Sequence, residues 1–321
     1  MQLIIHLGTE KTGTTSIQQF LTENPDLLEG LGVSYLNAFR KGISHNFLTR
    51  LLRKGEIDFV RRKVALELEK SSQETFLISS ETAYGDVATQ QVLSALTSDG
   101  LKQPDLSVTC VLYVRRQDLY LEAISKQRAK NFSVAYADAA AFARAKRPKA
   151  LYHGMISRMR RLYPHVSWQV RVFDPRSFAN GDVTADILSW LFLYDGPLPS
   201  KHEKRANPTP SMALIQAMQE VGVRDRFIRL NLLRALSQRP ERFLFVSNDL
   251  FSGDERLDLM TYYKADNARL ADLVGDDLVA KFHECDWKRE SRKVMDPAKL
   301  QHSVEMCKAL VLDQLSHQQG N

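Results

Sequence analysis

Cysteine is scarce in this chain of 321 residues, which contains only Cys110, Cys285 and Cys307. An odd number of widely spaced cysteines gives neither a disulfide framework nor a metal-ligand spacing, and it is typical of a reducing compartment. No apolar run approaches the roughly 18 residues that a membrane-spanning helix needs. Residues 1–8 offer too short an apolar core for a cleavable signal, so we expect a cytoplasmic protein without a membrane span.

Signatures of zinc fingers and RNA-binding motifs are also absent, although the chain is basic. Its formal net charge is +6, and lysine and arginine cluster in segments 50–63, 126–131 and 158–165. None of these segments is interleaved with the aromatic residues of a single-strand binder. We therefore expect no nucleic-acid partner, and the basic balance indicates solvated surface or attraction for an anionic ligand.

A third absence concerns residues 3–21, LIIHLGTEKTGTTSIQQFL, where an apolar strand leads through a turn into an amphipathic helix. This layout is typical of loops that hold phosphate, and the alternative is an ordinary glycine turn before a helix. A nucleotide-hydrolysing P-loop has lysine directly after its second glycine, but here Thr14 follows Gly13 and the lysine lies earlier. The ligand donors that we expect are the backbone amides together with Lys11, Thr12, Gly13, Thr14, Thr15 and Ser16.

Short apolar runs alternate with segments of helical spacing along the chain. The runs predict strands at residues 2–7, 75–79, 108–114 and 168–173. Strands separated by helices favour an α/β fold with a P-loop-like parallel sheet flanked by helices. A proline-rich segment, 197–211, predicts a long loop, and most of the remainder has a helical pattern. We expect one domain over residues 1–321, with a core at 1–196 and a loop and helical part at 197–321.

The predicted strand 108–114 ends in Arg115 and Arg116, where a nucleotide hydrolase would have a metal-binding carboxylate. Two anions held without a metal fit 3′-phosphoadenosine 5′-phosphosulfate (PAPS). Here the sequence resembles the sulfotransferase family, and in particular its bacterial, carbohydrate-type branch. Residues 6–21 resemble the family's 5′-phosphosulfate loop, and residues 112–127 resemble its 3′-phosphate-binding strand and helix. Weaker similarity covers residues 170–188 and 262–278.

The resemblance implies transfer of a sulfuryl group from PAPS to a hydroxyl of a carbohydrate, glycolipid or small metabolite, without a metal. It implies that Lys11 contacts the transferring group, that Arg115 binds the 3′-phosphate, and that Arg205 belongs to a late phosphate-contacting loop. The family usually pairs its arginine with a serine eight residues on, which is Ala123 here. Ser125 lies nearby but on another side of the helix, so what replaces that serine stays open.

Sulfuryl transfer needs a base for the acceptor hydroxyl, and two candidates remain open. Glu81 directly follows the predicted strand 75–79, and His45 lies in an early segment that could cover the acceptor. His6, inside the first strand, is expected to be buried instead. Two other functions also remain open: a small-molecule or nucleotide kinase, and a non-catalytic nucleotide-binding protein. The acceptor and the oligomeric state cannot be predicted from the sequence.

Overall fold

A computed structural model describes residues 1–135, 138–192, 194–198, 210–246, 249–274, 279, 282 and 296–319. The chain divides into two compact units, each built from three separate segments of the sequence. The first unit comprises Met1–Arg116, Leu151–Ser200 and Lys264–Phe282. The second comprises Gln117–Ala150, Lys201–Tyr263 and His283–Asn321. The predicted loop 197–211 lies largely outside the described residues, and the single domain over 1–321 stays a prediction.

Within the described part of the first unit, five strands form one parallel sheet in the order β2-β3-β1-β4-β5. The strands are β1 Gln2–Leu7, β2 Val33–Tyr35, β3 Thr75–Ser80, β4 Ser107–Val114 and β5 Ser167–Val172. This arrangement confirms the predicted α/β class and parallel sheet. Strand β2 was not predicted, because three residues are too few for a periodic signal.

Helices follow the strands and make up most of the rest of the chain. In chain order they are α1 Thr14–Glu23, α2 Pro25–Gly30, α3 Asn46–Arg53, α4 Ile57–Lys70, α5 Asp86–Leu96, α6 Ser98–Leu101, α7 Gln117–Lys130, α8 Ala139–Ala145, α9 Tyr152–Leu162, α10 Val183–Phe192, α11 Met212–Glu220, α12 Arg226–Leu236, α13 Gly253–Tyr262, α14 Lys264–Val274 and α15 Pro297–Gln319. The apolar run at 242–247, which had no assignment from its pattern, begins as a short 3-10 helix, Arg242–Phe245. The helical C-terminal part is thereby confirmed. None of the helices in the described residues is long and apolar enough to cross a membrane.

The break between α1 and α2 follows from one proline. Pro25 has no amide hydrogen and disfavours helical geometry in the residue before it. Asn24 accordingly leaves the helical region, with φ −127°, and its amide closes α1 by bonding to the carbonyl of Phe20. Pro25 then starts α2 at the first helical position, where its missing donor costs nothing. A single amphipathic pattern in the sequence thus becomes two short helices.

Both faces of the sheet are buried, as is usual for parallel strands joined by helices. On one face, Ile4 of β1 lies in the same core cluster as Ile17 of α1 and Ile187 of α10. On the other face, Leu3 and Ile5 are fully buried. Complete burial of one such side chain stabilises the fold by about 1.5–3 kcal/mol. This packing fixes the start of α1 at the carboxyl end of β1.

The second unit has its own apolar core and a buried charge cluster. Its core includes Leu214 of α11, Leu232 of α12 and Val311 of α15, all fully buried. The guanidinium of Arg256 is also buried, 2.9 Å from Asp118 and 2.6 Å from Glu122. Burial opposes the charged forms, but the opposite charges prevail, raising the pKa of Arg256 and lowering that of Glu122. Because the two carboxylates balance its positive charge, the arginine is tolerated inside the unit.

Candidate functional site

The predicted anion loop lies where the sheet changes its winding direction. After β1 the chain runs to the β2 side of the sheet, and after β4 it runs to the β5 side. The carboxyl ends of β1 and β4 are therefore a topological switch point, where ligands bind in open α/β sheets. The loop after β1 and Arg115 after β4 both lie at this point.

Two left-handed residues shape the loop. Lys11 has φ 68° and Gly13 has φ 72°. A lysine in this conformation is uncommon, and strained positions of this kind concentrate at ligand sites. Gly13 is the N-cap of α1, and it has no side chain with which to cap the first amides. Those amides and the positive end of the helix dipole are what an anion needs.

Gly13 is also required for space. A methyl group at this position would lie 2.9 Å from Cγ1 of Val183 and 3.0 Å from Cε2 of Phe173. The first contact is shorter than real Cβ atoms show and the second is tighter than nearly all of them, so Val183 and Phe173 would have to shift. The loop thus packs directly on the start of α10 and the end of β5.

Threonine hydroxyls tie the loop to the neighbouring strand. The Thr9 hydroxyl donates to the carbonyl of Tyr113 in β4 at 2.6 Å, and the Thr12 hydroxyl donates to the carbonyl of Thr9 at 2.7 Å. Both threonines are fully buried. The side chain of Thr12, which was predicted to hold the ligand, therefore holds the loop instead. Thr9 was missed because an isolated threonine after glycine carries no signal in sequence.

Glu81 is brought to the loop from β3. It follows Ser80 at the carboxyl end of β3, the strand that pairs with β1. Its Oε2 accepts a hydrogen bond from the Thr14 hydroxyl at 3.2 Å, and its Oε1 accepts one from Nδ2 of Asn46 at 3.4 Å. The carboxylate is half-buried. One predicted base and one predicted loop residue, 67 residues apart, are thus in contact.

Asn46 is a positioning residue that the sequence did not reveal. It begins α3, and its Oδ1 accepts from the Ser80 hydroxyl at 2.9 Å. The Thr82 hydroxyl also donates to that oxygen, at 3.3 Å. Ser80 and Thr82, the residues on either side of Glu81, are therefore bonded to the same Asn46 side chain that contacts the Glu81 carboxylate. These neutral hydrogen-bond partners orient the carboxylate of Glu81.

Arg115 lies against the other side of the loop. Its Nη1 donates to the carbonyl of Lys11 at 3.0 Å, and its guanidinium lies 5.7 Å from the centre of the Phe173 ring. The Tyr152 hydroxyl donates to the backbone carbonyl of Arg115 at 2.8 Å. The structure thus brings the Arg115 side chain to the backbone of Lys11.

A buried network of hydrogen bonds and an ion pair connects the elements next to the loop. The Tyr113 hydroxyl donates to Asp186 at 2.6 Å, and the same carboxylate pairs with Arg171 at 2.9 Å. Burial, together with the hydrogen bond to Asp186, raises the pKa of Tyr113 far above its ordinary range. Tyr113 therefore stays a neutral donor. The network joins β4, β5 and α10, the elements that contact the loop.

His45 is not placed to act as a base. It is fully buried, its Nδ1 accepts from the amide of Ser79 at 3.2 Å, and its Nε2 lies 2.8 Å from the carbonyl of Leu36. Burial lowers its pKa to about 4, which favours the neutral ring. Both ring nitrogens are engaged by backbone groups, so the geometry favours Glu81 of the two candidates.

His6 is buried, as its position in the first strand predicted. Its Nδ1 lies 2.9 Å from the Ser79 hydroxyl, which also accepts from Gln18 of α1 at 3.1 Å. Burial lowers the pKa of His6 to about 4. The three side chains form a neutral polar contact between β1, β3 and α1 below the loop.

The remaining predicted residues have different outcomes. Thr15 is exposed and Ser16 half-buried at the start of α1, where they can face a ligand. Arg205 lies outside the described residues. The buried hydroxyl of Ser125 donates to the carbonyl of Leu121 in its own helix at 2.8 Å. In the described part of the chain, no three His, Cys, Asp or Glu side chains are grouped as metal ligands.

Comparison with known proteins assigns no family to this chain. No protein-family model and no solved structure matches it. An uncharacterized protein of Archaeoglobus fulgidus is 27% identical over 174 residues, which is 50% of this chain and 44% of that protein. The chain therefore covers less than half the length of this relative.

Proposed function

We propose that the protein is a sulfotransferase that uses PAPS to sulfate a hydroxyl group. The observation that carries this proposal is that Arg115 and Glu81 both reach the loop that contains Lys11. Arg115 donates to the backbone carbonyl of Lys11, and Glu81 accepts from the hydroxyl of Thr14. Two cationic residues and a carboxylate at one loop suit a donor with two anionic groups and an acceptor that must lose a proton.

The proposed reaction assigns one task to each side chain. Glu81 takes the proton from the acceptor hydroxyl as the acceptor oxygen forms its bond to sulfur. The bond between sulfur and the bridging phosphate oxygen then breaks, and 3′,5′-bisphosphoadenosine leaves. Lys11 and the first amides of α1 stabilise the negative charge that develops on the bridging oxygen. Arg115 binds the 3′-phosphate by charge-assisted hydrogen bonds.

The acceptor in this proposal is a carbohydrate, a glycolipid or a small metabolite. We include a cytoplasmic location, because Cys110 and Cys307 are buried and free. Such thiols suit a reducing compartment. Cell fractionation tests the location, since enrichment outside the cytoplasm would contradict it.

A small-molecule or nucleotide kinase is the alternative, and one contact favours it. The hydrogen bond from Thr14 to Glu81 joins a loop hydroxyl to a carboxylate, the two group types that hold Mg²⁺ in P-loop enzymes. A kinase would bind its nucleotide together with that metal. A sulfotransferase would bind its bisphosphate product without it. A protein that binds nucleotide without catalysis would bind the bisphosphate but turn nothing over.

Calorimetric titration separates the sulfotransferase from the kinase, and a turnover assay with PAPS separates the sulfotransferase from a protein that only binds nucleotide. We expect 3′,5′-bisphosphoadenosine to bind in the presence of EDTA, and ATP to gain little from added Mg²⁺. Lys11→Ala should lower turnover more than donor affinity, because the lysine acts mainly on charge that develops during the reaction. Lys63→Ala, which removes an exposed lysine from α4, is the control of equal charge.

The contrary outcomes are equally specific. Nucleotide binding that strictly requires Mg²⁺ would replace the sulfotransferase proposal with the kinase. No binding of either nucleotide would remove both. Equal effects of Lys11→Ala and Lys63→Ala would show that the loop lysine has no special role.

A further inference from the structure

In the second unit, helix α12 exposes large apolar side chains to solvent. Phe227 is 77% exposed, Ile228 46% and Leu230 39%. At about 100° per residue, Phe227 and Leu230 lie on one side of the helix with Arg234, and Ile228 lies about 100° round the helix from Phe227. Single exposed apolar residues are ordinary, but Phe227 and Leu230 are neighbours on the helix surface, and adjoining exposed apolar side chains mark interaction sites.

The orientation of α12 is fixed by its other side. Leu232 and Leu236 are fully buried in the core of the second unit. Arg229 is 8% exposed, and its guanidinium stacks on the ring of Phe132 at 4.4 Å. Rotating the helix to hide Phe227 would expose these leucines and this arginine contact. Burial of Leu232 and Leu236 therefore leaves Phe227 and Leu230 on the side of α12 that faces solvent.

The charges that residues 224–236 themselves contribute beside these apolar side chains are mostly positive. Arg224, Arg226 and Arg234 are exposed beside them. Asp225 is the sole acid between residues 224 and 236. Its carboxylate caps α12 by accepting from the amides of Phe227 and Ile228, at 2.8 and 2.9 Å. We call the three exposed apolar residues and these three arginines the α12 face.

We propose that the α12 face docks on an anionic lipid surface. A helix that lies in a membrane interface inserts apolar side chains between lipids while its arginines reach the head groups. A bilayer supplies both environments along a convex helix without a matching groove, which a protein partner would have to provide. The charge of the α12 face complements anionic lipid, and this inference does not depend on the proposed function.

Vesicle co-sedimentation of the full chain tests this proposal. We expect binding to vesicles of phosphatidylcholine and phosphatidylglycerol in equal parts, and none to phosphatidylcholine alone. Binding should weaken as salt rises, because counterions screen the arginines. Arg226→Glu should weaken binding by at least about fivefold, the effect of losing one basic side chain at an anionic surface. Phe227→Ser should weaken it as well, by removing the most exposed apolar group.

Each change has a matched control outside the α12 face. Leu257→Ser alters another exposed leucine of the second unit, 50% exposed in α13, and Arg160→Glu makes the same change in net charge. We expect both controls to bind vesicles like the natural chain. Failure to bind anionic vesicles, or equal loss in the controls, would overturn the proposal. Self-association that Phe227→Ser abolishes, without vesicle binding, would instead make the face a contact between two copies.

Discussion

Replacing Gly13 by alanine tests how tightly the loop is built. The new methyl group would meet Val183 at 2.9 Å and Phe173 at 3.0 Å, in a backbone conformation with φ +72°. Left-handed geometry costs an alanine about 1–2 kcal/mol. Overpacking of a filled site adds about 1–3 kcal/mol. We therefore expect Gly13→Ala to lower the free energy of unfolding by roughly 2–5 kcal/mol.

Two other glycines separate these contributions. Gly42 has a similar backbone, with φ +61°, but its methyl group would have no neighbour within 4 Å. Gly42→Ala should therefore cost only the conformational part, about 1–2 kcal/mol. Gly30 ends α2 with the same open space and no positive φ, so Gly30→Ala should stabilise by about 0.5–1 kcal/mol. The difference between the first two variants measures the contact with Val183 and Phe173.

Urea unfolding provides the assay, because the free energy of unfolding falls linearly with urea concentration. Tryptophan fluorescence is a suitable signal, since Trp190 packs against the same core cluster as Val183 and Phe173. The same variants can be titrated with 3′,5′-bisphosphoadenosine, where only Gly13→Ala should weaken binding. If Gly13→Ala costs no more stability than Gly42→Ala, the loop does not pack as described and the argument for a rigid anion site fails.

Four further outcomes follow from the structure. Arg115→Ala should weaken 3′,5′-bisphosphoadenosine about tenfold to a hundredfold, but adenosine 5′-phosphosulfate only slightly, since the latter lacks the 3′-phosphate; equal losses in calorimetry would contradict this role. Glu81→Gln should lower turnover on the order of 10²–10⁴-fold with donor binding intact, and near-normal turnover would place the base elsewhere. Folding lowers the pKa of His6 from 6.5 to about 4, so the unfolded chain takes up its proton first and stability present above pH 6.5 is lost as pH falls toward 4. His6→Gln should make the free energy of unfolding, measured in urea at several pH values, depend less on pH between 6.5 and 4. An unchanged pH dependence would contradict the lowered pKa of His6. Arg256→Ala removes the guanidinium that lies 2.9 Å from the fully buried carboxylate of Asp118 and should cost about 3–5 kcal/mol of stability, so a neutral effect in urea unfolding would refute the burial argument.

Local patterns in the sequence determined much of the first unit. Apolar runs located four strands, and the turn between β1 and α1 was evident from Gly8 and Gly13. These features are encoded by neighbouring residues, because strand propensity and left-handed glycines act over short distances. Even the break between α1 and α2 follows from Pro25 alone, although the helical spacing on both sides concealed it.

The roles of individual side chains were a different matter. Thr12 and Thr14 are equivalent in the sequence, yet one hydroxyl closes the loop and the other contacts Glu81. His45 and Glu81 were equally plausible bases until the fold buried the histidine against two backbone groups. The direction in which a side chain points depends on strands that are distant in the chain. The hydrophobic periodicity of one segment does not predict that direction.

By itself, the sequence determined that a glycine-containing turn joins the first strand to a helix, because the conformations that such a turn needs are set by its own residues. The tertiary structure alone decided that β3 lies beside β1 and β4 on its other side. This strand order sets Glu81 and Arg115 on opposite sides of the loop, 34 positions apart in the chain. The physical reason is that strand order is fixed by burial of both sheet faces under helices, a property of the whole unit and not of any one segment.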